Sequence, residues 1–311
     1  MPAHEWDVVV VGELFLDEIL ADFPTLPKLG EEAFAQSLKR EAGGGAAITA
    51  AALARLGVRV AVLGVIGPDG FWIRDRLTAL GVSTRFLQVD KQESTGLTVS
   101  VSTREDRAFF SYYGANTALA EGFRQPKWTG VMCAARHVHI ATSPQAKLDL
   151  PFLKLLRQKG CRISIDVQSN VSWLTEPASL QVLKAVDLFL PNEQEAEWIS
   201  GETGTRAILS NLRSRGLRKV GLKLGGKGAA LAWNHKDFLV DTFPVLAKDT
   251  TGAGDCFNAG FLYAWLNRQP PLTCLEIANY CGALSTRELG GIDGFPTARE
   301  LRDFMGKKRS K

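Results

Sequence analysis

Short apolar runs alternate along this chain with stretches whose apolar residues recur at helical spacing. Val8–Val11 reads as a buried strand, Ala46–Leu56 as an alanine-rich helix closed by Gly57, Val58–Ile66 as a strand, and Phe71–Leu80 as a helix closed by Gly81. His137–Ile140, Leu148–Gln158 and Arg162–Asp166 continue as strand, helix and strand. Leu180–Ala185, Leu188–Leu190, Glu193–Ile199 and Arg206–Arg215 follow as helix, strand, helix and helix. Lys219–Lys223 and Ala229–Trp233 are strands, and Asp255–Leu266 and Cys274–Glu288 are long helices. Repeated strand–helix units predict an α/β fold with a mainly parallel, doubly wound sheet and helices on both faces. Two places break the rhythm. Leu14–Leu20 with Ala33–Arg40, and Leu97–Thr103 with Arg107–Tyr113, alternate in period two with no helix between them. They predict a small antiparallel sheet, its second pair hairpin-joined at Arg104–Asp106.

Ligands of doubly wound folds bind at the carboxyl ends of the parallel strands, so a sheet inserted there is placed to act as a lid. No repeat or low-complexity linker interrupts the pattern. The expectation is one domain over residues 1–311, with lid strands from about 14–40 and 96–113. Hydrophobic content of 45% and charged content of 23% are ordinary for a globular chain. The net charge is +4, and Lys307, Lys308, Arg309 and Lys311 cluster at the end as a solvated tail. The near-neutral remainder argues against binding nucleic acid or a membrane. Five scattered cysteines, none in Cys-x-x-Cys, read as reduced thiols and a cytoplasmic location. His137 and His139 share one face of a strand but have no acidic or cysteine partner nearby in sequence, so zinc is not expected.

The chemistry concentrates at Asp249-Thr-Thr-Gly-Ala-Gly-Asp-Cys-Phe-Asn-Ala-Gly260. Gly252 and Gly254 leave the backbone open just before a helix, whose start carries unpaired N–H groups and the positive end of the macrodipole. A carboxylate, Asp255, follows directly. The helix dipole should keep it ionised. An anion hole beside a proton acceptor suits phosphoryl transfer; a tight turn with a capping aspartate is the plainer alternative.

The string from Asp249 through Leu262 resembles the C-terminal motif of the ribokinase-like (PfkB-type) carbohydrate kinases. Gly43-Gly44-Gly45 before a helix ending Ala-Arg-Leu-Gly resembles the family's N-terminal motif, except that Ile48 stands where the family has a sugar-contacting asparagine. The resemblance runs from Gly12 to Pro296. It implies a ribokinase-like fold and an ATP-dependent kinase acting on a primary hydroxyl of a small sugar. Asp255 would be the base, and Gly252, Ala253 and Gly254 the anion hole. Asp17, Gly44 and Gly45 would hold the substrate. Lys223, Gly225, Gly228 and Gly254 would contact nucleotide, with Asn279 at the adenine. Asn192 and Glu195 would organise Mg2+ largely through water, although the same pair reads as a helix-capping box. Asp249 and Thr251, with the 290–294 loop, resemble a monovalent-cation site suited to K+. A homodimer through the lid is expected from its open edges. Asp166-Val-Gln-Ser-Asn lacks the arginine used by sugar-acid kinases. Two alternatives stay open: a nucleoside kinase, favoured by Ile48 and by Phe109, Phe110, Tyr112 and Tyr113, and a non-catalytic sugar-binding regulator.

Overall fold

A computed structural model of the chain describes residues 4–103 and 107–309. The first strand, Trp6–Gly12, shows why the fold takes its shape. Val8 and Val10 pack into one core cluster and Val9 and Val11 into another, each fully buried. A strand buried on both faces needs apolar residues at consecutive positions, which is the run the sequence displays. Among the described residues the main sheet has eight strands, in the order Lys236–Val240, Ala229–Trp233, Lys219–Lys223, Leu188–Phe189, Arg162–Asp166, Ala135–Ala141, Trp6–Gly12 and Val60–Leu63. The six from Lys219–Lys223 onward are parallel; the outer two are antiparallel.

Helices Gly45–Arg55, Ala253–Leu266 and Pro271–Ser285 cover the Val8/Val10 face. The alanines of Gly45–Arg55 let it approach closely, and every residue from Gly45 to Leu53 is buried. The helix Ala253–Leu266 starts two residues before the expected Asp255. It is also buried on more than its apolar stripe, with Asn258 and Ala259 covered as fully as Phe261. The expected strand Val58–Ile66 is divided at Gly64 into Val60–Leu63 and Val65–Ile66, the second pairing with Gln88–Val89. Pro126–Cys133, Lys236–Val240 and Ala298–Arg309 are further elements that the hydrophobic pattern does not single out. Cys161, Cys256, Cys274 and Cys281 are buried free thiols and Cys133 is half-buried.

A second sheet stands apart, in the order Ser37–Gly43, Phe15–Ala21, Gly96–Ser102 and Arg107–Tyr112. Its outer pairs are antiparallel, as expected of strands joined with no helix between them, but the central pair, Phe15–Ala21 with Gly96–Ser102, is parallel. The expected hairpin at Arg104–Asp106 lies outside the described residues. Phe109, Phe110, Tyr112 and Tyr113 are exposed and do not form a core for this sheet.

Phe261 is fully buried where Ala253–Leu266 meets the sheet. Its replacement, Phe261→Ala, should cost about 3–5 kcal/mol of stability, read as a lowered denaturation midpoint with the slope unchanged.

Candidate active site

Helices Gly45–Arg55 and Ala253–Leu266 begin side by side at the carboxyl ends of the parallel strands. Gly252 caps the second helix in the left-handed region, φ 69°, which a side chain would strain. Cys256 N–H donates back to Gly252 O at 2.9 Å and Ala253 N–H to Thr250 O at 3.3 Å. Gly252, Gly254 and Asp255 N–H find no protein acceptor among the described residues. The Ala253 amide expected in the anion hole is instead bonded within the turn, and the free amides of the first turn are those of Gly254 and Asp255. A Cβ on Gly254 would stand 3.4 Å from Lys223 Nζ, so an ammonium borders the same turn.

Asp255 is buried, and its Oδ1 accepts from Gln168 Nε2 at 3.2 Å. A Cβ on Gly45 would lie 3.0 Å from that oxygen and 2.5 Å from the Gln168 nitrogen, so the two helix starts and Gln168 converge on one point. Burial, and then the charge of Asp166, push the Asp255 carboxyl up to about 7, against the pull of Lys223 and Gln168. The helix dipole expected to keep it ionised is thus opposed by burial and by the neighbouring Asp166 charge.

Asp17 lies mid-strand on the second sheet, opposite Glu41 and Thr98, and is buried. A Cβ on Gly43 would sit 2.1 Å from its carboxylate, so the first glycine of the triplet is the space Asp17 occupies. Asp17 is pushed up to about 7 by burial and then by Asp255, Asp249 and Glu41. Glu41 itself is held by a two-pronged ion pair with Arg76, at 2.8 and 2.6 Å. Gly44, at φ 86°, is the cap of the first helix and packs on the Glu13 carbonyl.

Lys223, Gly225, Gly228, Gly254 and Asn279 line one cleft of about 350 Å³ beside this turn. Phe243 and Val245 line it too, apolar residues in a segment with no periodicity to betray them. Asn279 donates to Asp241 O at 2.7 Å and holds that segment over the cleft. Lys223 Nζ is paired with Asp166 at 2.6 Å, and Asp166 Oδ2 also accepts from Asn258 at 2.7 Å. Burial alone would raise the Asp166 carboxyl, but Lys223 and Asn258 outweigh it and hold it low. Asn192 and Glu195 form the complete capping box, and Glu195 Oε1 also accepts from Ser169 N and Oγ at 2.9 and 3.0 Å. Asn192 bridges to Lys223 through the backbone, next to the cleft.

Asp249 Oδ1 accepts from Thr251 N, Thr251 Oγ1 and Arg107, and its Oδ2 from Gly290 N. Ile48 is 3% exposed, and its methyl groups fill the space that a side chain at Gly252 or Gly291 would need. His137 and His139 are buried, both on Ser164 Oγ at 2.7 Å, and burial lowers both. Glu13 joins Tyr113 (2.6 Å) and Thr142 (3.0 Å) near Asp17's strand, a cluster drawn from three separate segments.

A carboxylate raised toward neutrality, free helix-start amides and a cleft thus adjoin one another at the carboxyl ends of the parallel strands. The chain belongs to the pfkB family of carbohydrate kinases, whose model matches residues 7–298. It is 28% identical to the ribokinase of Haemophilus influenzae over 96% of this chain and 98% of that one. It is also 28% identical to the fructokinase of Vibrio alginolyticus, over 87% and 93%. Among solved structures it superposes on Arabidopsis thaliana ribokinase complexed with ribose and ATP at a TM-score of 0.85, with 25% identity over 96% and 98%. An E. coli chain solved with ATP and Mg2+ matches at 0.80, with 25% identity over 97% and 99%. No described helix is long and apolar enough to cross a membrane.

Because its carboxyl is raised in the fold, Asp17 contributes stability that is full below the unfolded value near 4 and is lost as pH rises through about 7. Asp17→Asn should therefore be more stable than the parent at pH 8, by on the order of 2 kcal/mol, with the gain shrinking toward pH 4 in urea unfolding.

Proposed function

We propose that this carbohydrate kinase transfers the γ-phosphoryl of ATP to a primary hydroxyl of a small sugar or sugar-like acceptor, with Asp255 as general base. The observation that carries the reading is the meeting of Asp255 with the unpaired first-turn amides of its own helix. A base near 7 is matched to neutral pH, where it is partly ionised and still holds a proton well. Amides of Gly252, Gly254 and Asp255, with Lys223 beside them, face charge developing on the moving phosphoryl; Ala253 supplies the turn. Asp17 and the Gly44–Gly45 backbone hold acceptor hydroxyls. ATP occupies the cleft of Lys223, Gly225, Gly228 and Asn279. Asn192 and Glu195 fit a Mg2+ held mostly by phosphate and water, since buried, already bonded groups reach an ion best through its water shell. That ion neutralises phosphate charge when bound.

Residues 1–311 then act as one kinase unit in which the second sheet closes as a lid and excludes water. Its two edge strands and exposed Leu38 and Phe110 support pairing of two copies through it. A nucleoside acceptor is the second reading, supported by the Phe15–Tyr113 edge contact at 6.1 Å beside Glu13. The cation expected at Asp249 and Thr251 does not fit. Arg107 stands on Asp249, while Lys39, Cys256 and Arg287 take the carbonyls of Leu289, Gly291 and Gly294.

An ADP-release screen across pentoses, hexoses, sugar phosphates and nucleosides tests the reading; no acceptor-dependent release with any of them would overturn it. On the acceptor so found, Asp255→Asn should lower turnover by about 10²–10⁴-fold, and a variant keeping most activity would remove Asp255 as base. Turnover should be equal in Na+-only and K+ buffers; a several-fold gain with K+ would restore the cation site.

A further inference from the structure

Two consecutive residues that are not glycine, Gln168 and Ser169, are left-handed, at φ 54° and 58°. Such a pair is strained, and the chain uses glycine at most of its other left-handed positions. The side chains at 168 and 169 must therefore do something glycine cannot. Their contacts say what. Gln168 Nε2 donates to Asp255 Oδ1 at 3.2 Å, and Gln168 N donates to Asp166 Oδ1 at 3.2 Å. Ser169 donates twice to Glu195 Oε1. One turn at the end of strand Arg162–Asp166 thus reaches three carboxylates carried on three different elements.

We infer that Gln168 is the positioning residue of the base, a deduction that rests on the kinase reading with Asp255 in that role. Its amide fixes Oδ1 and leaves Oδ2, which has no protein partner among the described residues, for the acceptor proton. The same hydrogen bond favours the ionised carboxylate against the burial and the Asp166 charge that oppose it. Gly45 completes the device: with no side chain it lets the Gln168 amide pass between the first helix start and Asp255, where a Cβ would lie 2.5 Å from the nitrogen. The left-handed backbone directs the side chain back over the strand end, and glycine there would relax the turn at the expense of that reach.

The test uses the wild-type protein and three variants, Gln168→Met, Gln168→Glu and Gln168→Gly, on the acceptor found by the ADP-release screen. Each is read as kcat/KM against pH and as a melting temperature. Losing the donor raises the Asp255 value, so the acid limb of the Gln168→Met profile should move to higher pH. Activity at neutral pH should fall about 10- to 100-fold. Gln168→Glu adds a like charge and should move the limb further. Gln168→Gly should melt no lower than wild type, because glycine accepts φ 54°, yet lose activity as Gln168→Met does. An acid limb that stays in place in Gln168→Met, or activity that falls only in variants that also melt lower, would overturn the inference. If wild type phosphorylates no acceptor, it is the kinase reading that fails, and Gln168→Gly melting well below wild type would still refute the strain argument on its own.

Discussion

The burial of like charges in one small volume governs this structure. Asp17, Asp166, Glu195 and Asp255 are all nearly inaccessible, and among the described residues a single ion pair, Lys223 with Asp166, neutralises any of them. Each remaining carboxyl is pushed up by burial first and by its neighbours next. A fold selected for stability alone would not keep such a cluster, since unpaired buried charge costs free energy that apolar replacements would not. The cluster makes sense where a proton must be accepted near neutral pH and where hydroxyls and phosphates supply the missing partners.

The rest of the fold can be understood as the means of assembling that cluster. Helices Gly45–Arg55 and Ala253–Leu266, far apart in sequence, are packed with their starts together because alanine on one and the Phe257–Phe261 face of the other fill one side of the sheet. Strand Arg162–Asp166 delivers Asp166 and the Gln168–Ser169 turn between them. The second sheet brings Asp17 from the other direction, tied down by Glu41–Arg76, by Lys39 on Leu289 O and by Arg107 on Asp249.

Much of this was legible from local pattern. The valines of the first strand, the glycines before Asp255 and the alanine-rich helix follow from periodicity and helix-end chemistry, which act over a few residues. What escaped depends on distance along the chain. Asp166 and Lys223, Gln168 and Asp255, and Glu13 with Tyr113 and Thr142 join segments whose proximity is a product of sheet order. The parallel pairing at the centre of the second sheet escaped for the same reason, since alternation gives the faces of a strand but not its neighbour's direction. Ile48 packs between Gly252 and Gly291, a contact that its place in the motif does not display. The rise of the Asp255 carboxyl escaped as well, because a sequence displays the helix dipole and conceals the burial that opposes it.

The account stands most directly on the protonation of Asp255 in the folded chain. Carboxyl 13C shifts of aspartate-labelled protein, with the Asp255 signal assigned by its absence from Asp255→Asn, would follow that group through a pH titration. A midpoint near 7 is the result expected. A midpoint in the ordinary aspartate range, about 4, would mean the acid is solvated and the crowding of charges described above does not exist.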